Sequence, residues 1–172
     1  MLSKVETSMR FKKYLTKNPS ETKKLGKSLA QKILKNSPKK GAFALGLEGD
    51  LGGGKTTFLQ GFARGLGIKQ KILSPTFIIM RKFKIPLAVR ARQNSKSKFK
   101  NFYHIDCYRI KKPREILNLG FKEIIADPQN VVAIEWANRI RKILPQGRFL
   151  ISFELVDKNT RKIKIWKRKK SV

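Results

Sequence analysis

Residues Gly49-Asp50-Leu51-Gly52-Gly53-Gly54-Lys55-Thr56 fit the pattern G-x-x-x-x-G-K-[ST] at every position. No other stretch restricts the fold of this chain as much. Glycines at these positions let the backbone curl until several N–H groups point at one anion. The loop works only between a buried strand and the start of a helix, and the flanking sequence supplies both. Ala42–Leu47 is a short apolar run that reads as a buried strand. Phe58, Leu59, Phe62 and Leu66 recur at helical spacing after Thr56, and Gly67 is a C-terminal stop. A helix opening near Lys55 aims the positive end of its dipole at the same anion. Lys55 then reaches the terminal phosphates of a nucleotide, and the Thr56 hydroxyl is placed to hold Mg²⁺.

The remaining chain reads as elements around this centre. Met9–Thr16 is a weak strand candidate. Asn18-Pro19-Ser20 offers helix-start chemistry. Leu25, Leu29, Ile33 and Leu34 keep helical spacing until Ser37-Pro38. Phe77–Met80 reads as a strand after the break at Ser74-Pro75. Residues 81–100 carry eight Lys/Arg and no acid and read as a hairpin or mobile basic loop. Asn101–Arg109 is an aromatic-rich strand in which alternation puts Phe102, His104, Asp106 and Tyr108 on one face. Pro113–Gly120 is a short helix with a glycine stop, and Phe121–Ala126 is either its continuation or a separate segment. Val131–Ile134 is a buried strand ending at Glu135-Trp136, followed by a helix over Ala137–Leu144. Phe149–Val156 and Arg161–Trp166 form a terminal hairpin. The length of 172 residues suits one domain over 1–172, with the basic loop at 81–100 and a basic tail at 167–172.

A phosphate loop needs a carboxylate for its metal and a group to orient the attacking water. No acid lies between Asp50 and Asp106, so the search is short. In open α/β sheets ligands gather at the carboxyl ends of strands. Two acids end apolar strands: Asp106 and Glu135. Each has a plainer alternative, a salt bridge from Asp106 to Arg109 and a helix cap for Glu135. Glu115, Glu123 and Asp127 fall on helices or turns and read as solvated, and Glu154 lies in an outer strand. Ser74 is either a turn hydroxyl or a group facing the terminal phosphate. His104, the single histidine, either orients Asp106 or a water, or is structural.

The balance of 41 Lys+Arg against 11 Asp+Glu, a net charge of +30, draws the chain toward polyanions such as RNA and nucleotides. A lysine-rich surface that is merely solvated is the alternative. The single cysteine, Cys107, excludes an intramolecular disulfide and reads as a small buried hydrophobe. No apolar run approaches the ~18 residues of a membrane span. A cytoplasmic protein with no membrane partner is expected.

Five motifs occur in one order: GDLGGGKTTF at 49–58, SPTF at 74–77, H-x-D-x-Y-R at 104–109, Glu-x-x-x-x-Gly at 115–120, and E-W at 135–136 with L-P at 144–145. The series resembles the bacterial TsaE (YjeE) family, from about Asn18 to Trp166. The resemblance implies an α/β fold, a three-layer α/β/α P-loop NTPase domain with a mostly parallel central sheet and a C-terminal hairpin. It implies ATP bound along Gly49, Asp50, Gly52, Gly53, Gly54, Lys55, Thr56 and Thr57, with Thr76 matching the Thr of the family's SPT segment. Lys55, Asp106 and Glu135 would be catalytic, and Thr56, Asp106 and Glu135 would hold Mg²⁺. Trp136 matches the family's Trp beside the acid. The implied activity is ATP hydrolysis in formation of threonylcarbamoyladenosine in tRNA. The implied partners are the tRNA threonylcarbamoyl-transferase subunit and its companion subunit, with possible tRNA contact through the basic surface. Residues 81–100 are longer and more basic than the family's segment, and Cys107 replaces an expected aliphatic residue.

Two other readings share parts of this pattern. A small P-loop kinase would use the same loop and acids, with Arg81–Arg92 in a lid. A basic RNA-binding module would hold nucleotide only structurally.

Overall fold

The computed structural model describes residues 11–35, 40–74, 78–92 and 97–167. All seven strands among them join one sheet: β1 (Phe11–Thr16), β2 (Phe43–Gly49), β3 (Met80–Lys84), β4 (Asn101–Asp106), β5 (Asn130–Glu135), β6 (Phe149–Leu155) and β7 (Arg161–Lys167). Their spatial order is β1-β7-β6-β2-β5-β4-β3. The four central strands, β6, β2, β5 and β4, run parallel. Antiparallel partners close both sides, β3 on β4 at one and the β7–β1 pair on β6 at the other.

Helices cover both faces, which makes three layers. On one face lie α1 (Pro19–Leu34) and α2 (Lys55–Gly65), with Leu34, Phe58 and Phe62 packed on Leu45, Leu47, Phe102 and Val131. On the other lie α4 (Pro113–Leu117), α5 (Phe121–Ala126) and a 3-10 segment over Ala137–Ile143, around Ile105, Val132 and Ile134. Strands β2 and β5 are the most apolar because both their faces are covered. Each Leu or Phe fully buried here contributes about 1.5–3 kcal/mol.

The first helix begins as its sequence directs. Asn18 caps α1 by accepting from the Glu21 N–H at 2.9 Å, and Glu21 accepts from the Lys17 N–H at 2.7 Å. Its buried face is Thr22, Gly26, Ala30, Ile33 and Leu34. Leu25 and Leu29, which share helical spacing with Ile33 and Leu34, lie only partly buried. The expected stop at Ser37-Pro38 lies outside the described residues.

Two expectations need correction. The strand expected at Phe77–Met80 starts at Met80 and runs to Lys84, while Phe77 lies outside the described residues. The basic stretch expected as a hairpin or mobile loop holds β3 and a short helix, α3 (Leu87–Arg92). Only Phe83 of β3 is buried, stacked on Phe102 at 6.0 Å, so alternation is too sparse to reveal the strand from sequence. The glycine stop read at Gly120 holds: at φ 77° it turns the chain, and Phe121–Ala126 forms a second helix rather than continuing the first.

Candidate functional site

The sheet register assembles the site. Strand β2 ends at Gly49 and leads into the glycine loop, and α2 leaves it at Lys55. On the neighbouring strands Asp106 pairs in register with Glu135, and Glu135 with Leu47 of β2. Both carboxylates thus stand at strand ends beside the loop, where parallel sheets gather ligands. Gly49 is required by closeness as well as by its φ of 139°, since a Cβ there would overlap the Phe153 carbonyl oxygen. Gly54, at φ 99°, is the left-handed residue from which α2 starts.

A cavity of about 340 Å³ opens over this loop. Gly52, Gly53, Gly54, Lys55, Thr56, Thr57, Asp106 and Glu135 line it, together with Ser74, Tyr108, Trp136 and Arg161. Gly49 and Asp50 lie behind it, and their carbonyl oxygens accept from the Lys55 ammonium at 2.6 and 2.8 Å. The ammonium also sits 4.2 Å from the centre of the Trp136 ring. Burial holds the Lys55 pKa below its ordinary value, against the opposing pull of Glu135, Asp106 and Asp50. Thr76 lies outside the described residues.

The hydroxyl of Thr56 donates to both oxygens of Glu135, at 3.0 and 3.1 Å. Asp106 accepts from the Ser74 hydroxyl at 2.6 Å and from the Tyr108 N–H at 2.8 Å. Asp106 and Glu135 are only 5% and 3% exposed. Two carboxylates this buried, side by side, are costly without cations. Lys55 supplies one positive charge. Two carboxylates and a hydroxyl beside a glycine loop are a donor set that suits Mg²⁺, which takes few protein ligands and fills its sphere with phosphate oxygens and water. Among the described residues no group of three or more His, Cys, Asp or Glu forms an all-protein metal cage. The residues present therefore fit Mg²⁺ brought with a nucleotide.

The other acids behave as solvated groups. Glu115 caps α4, and the N–H groups of Lys112 and Lys111 lower its pKa. Glu154 pairs with Lys162 at 2.6 Å. Ser74, which the sequence left between a turn hydroxyl and a site group, bonds Asp106. His104, which the sequence left between orienting Asp106 or a water and a structural role, pairs through its ring with Glu135 at 2.8 Å. Tyr108 lies beyond the end of β4, and its ring packs on Trp136 at 5.0 Å. Trp136 is the one non-glycine residue at positive φ (57°) among those described, a strain of roughly 1–2 kcal/mol at the turn after Glu135. Sequence reasoning missed Arg161. Its guanidinium donates to the Gly52 carbonyl at 3.2 Å from 109 positions along the chain, and no local pattern signals such a contact.

A glycine loop between strand and helix, two strand-end acids and a sheet covered on both faces define a P-loop NTPase domain. Residues 16–163 match the family described as threonylcarbamoyl adenosine biosynthesis protein TsaE. The chain belongs to the TsaE family. It is 37% identical over 163 residues to the tRNA threonylcarbamoyladenosine biosynthesis protein TsaE of Bacillus subtilis, covering 90% of this chain and 85% of that one. The TsaE proteins of Rickettsia felis and Haemophilus influenzae are 36% and 30% identical, over 84% and 78% of this chain and 73% and 76% of theirs. The crystal structure of Bacillus subtilis YdiB superposes with a TM-score of 0.68 at 32% identity, covering 94% of this chain and 88% of that one. No helix among the described residues is long and apolar enough to cross a membrane.

Proposed function

We propose that the chain is a Mg²⁺-dependent ATPase that serves formation of threonylcarbamoyladenosine in tRNA in the cytoplasm. It acts on the threonylcarbamoyl-transferase subunit and its companion and does not transfer the group itself. The tRNA step rests on the names of the relatives. The ATPase chemistry rests on one observation above all: Thr56 is hydrogen-bonded to Glu135 in a cavity that Lys55 and Asp106 also line.

The loop N–H groups and the α2 dipole take the β-phosphate. Lys55 exchanges the Gly49 and Asp50 carbonyls for phosphate oxygens. Thr56, Asp106 and Glu135 are the residues to hold Mg²⁺, which when bound neutralises charge developing on the phosphates. Ser74 and the Tyr108 N–H hold the Asp106 carboxylate in place. Glu135, at the strand tip, is placed to orient the attacking water.

The test is Mg²⁺-dependent ATP turnover with and without the transferase complex and tRNA, for wild type and Glu135→Ala. Free phosphate and ADP, raised by the partners and lost in Glu135→Ala, support the reading. A phosphorylated acceptor would instead make the chain a kinase. Turnover and tRNA modification that ignore both Glu135 and the partners would end the proposal.

A further inference from the structure

His104 is fully buried in β4, with Ala133 of β5 and Arg81 of β3 as its register neighbours. Its Nε2 lies 2.8 Å from Glu135 Oε1, and its Nδ1 has no hydrogen-bond partner among the described residues. A buried polar atom without a partner costs about 1–3 kcal/mol. An apolar side chain at this position would avoid that cost, so the imidazole is explained by the bond it makes. An ionised carboxylate only accepts, so the contact calls for a proton on Nε2.

Glu135 thus has two donors of different kinds. Thr56 reaches both oxygens from the partly exposed cavity wall, and its hydroxyl is also the group the phosphate-loop pattern assigns to the metal. Once that hydroxyl turns to a cation, Thr56 no longer holds Glu135. His104 stays, because it approaches from within the core. We propose that His104 is the positioning residue for Glu135: it fixes Oε1 and leaves Oε2 facing the cation and water. This rests on the ATP–Mg²⁺ reading of the cavity and extends it from the site to the group that keeps its acid in place. Partners that orient a metal-holding carboxylate are worth about 10–100-fold in metal affinity or activity when removed.

The experiment titrates ATP onto the full chain, with Mg²⁺ and with EDTA, for wild type, His104→Leu and His104→Gln. Gln puts an amide donor near the place of Nε2, and Leu puts none. His104→Leu should lose about 10–100-fold of the affinity gained from Mg²⁺. Its EDTA affinity should stay within about twofold of wild type, because the loop and Lys55 are untouched. His104→Gln should recover most of the gain. Because the chain has one histidine, ¹⁵N ring labelling reads its tautomer in the unaltered protein, whether or not His104→Leu folds. The expected signal is a ring that carries a proton on Nε2. A ring protonated on Nδ1 and not on Nε2 overturns the inference, since Nε2 could not then donate. Equal losses with Mg²⁺ and EDTA also overturn it, as does a His104→Leu variant that keeps the full Mg²⁺ gain. A wild type whose ATP affinity ignores Mg²⁺ sinks the metal reading of the cavity itself.

Discussion

At the scale of single residues, Cys107 shows how close the site lies to the core. It follows Asp106 directly, is wholly buried, and packs among Ile105, Ile110 and Ile134. Burial, with help from the Asp106 charge, pushes its thiol from 9.0 to about 12. The unfolded chain would ionise this thiol from about pH 9 upward while the folded chain keeps it protonated. Its contribution is therefore complete below the unfolded pKa and fades as pH rises toward the folded one. Denaturant titrations should show wild type losing more stability than Cys107→Ala between pH 9 and 12. A parallel pair of curves would refute this. Lys55 gives a second prediction at the same scale. Its ammonium rests on two carbonyls and the Trp136 ring, from which the phosphate of the proposed nucleotide would draw it away. In a Trp166→Phe background, ATP should change the fluorescence of Trp136, and Lys55→Ala should abolish the change along with roughly 100-fold or more of the affinity.

At the scale of elements, α1 and α2 touch along glycines. A Cβ on Gly61 would overlap the Lys23 carbonyl oxygen, and one on Gly26 the Phe58 carbonyl oxygen. Such closeness lets α1 bury little more than Gly26 and Ala30 at the seam, with Leu25 and Leu29 left to the side. Gly61→Ala should force the helices apart and cost about 1–3 kcal/mol, read as a lower Tm in calorimetry. An unchanged Tm would mean that the seam gives way freely. The β6–β7 turn is the other element that meets the site. Arg161 binds the carbonyls of Asp157, Lys158 and Thr160 within the turn and that of Gly52 across the loop. Arg161→Ala should leave the Tm within about a degree, since exposed polar contacts stabilise little. It should weaken nucleotide binding about three- to tenfold, measured by the same titration, because the turn then leaves one wall of the cavity.

At the scale of the whole molecule, charge dominates. Lys13 of β1 stands opposite Lys164 of β7, a like-charged cross-strand pair that costs stability in isolation. A net charge of +30 over 172 residues repeats that repulsion throughout. A polyanion relieves it. Binding of tRNA should fall at least tenfold between about 50 and 200 mM salt and should survive Lys55→Ala, because counterion release ignores the proposed nucleotide site. Gel-shift or anisotropy titrations at three salt concentrations would check this. Salt-independent affinity would assign tRNA binding to specific contacts instead.

The octet at 49–56, the strand before it and the helix after it were legible because local geometry is local sequence: glycines permit the loop, and apolar spacing declares the elements. Asp106 and Glu135 were legible too, since a chain so poor in acids leaves few candidates at strand ends. Three features were not. Strand β3 buries one residue and carries no period. His104 has the same sequence signature whether it meets Asp106, Glu135 or nothing. Arg161 reaches Gly52 only because β6 joins β2 in parallel and β7 folds back on β6. The sequence by itself determined which residues form the glycine loop between β2 and α2. Only the sheet register decided which side chains stand around that loop, because residues far apart in the chain become neighbours through strand order, and strand order is set by the packing of the whole core.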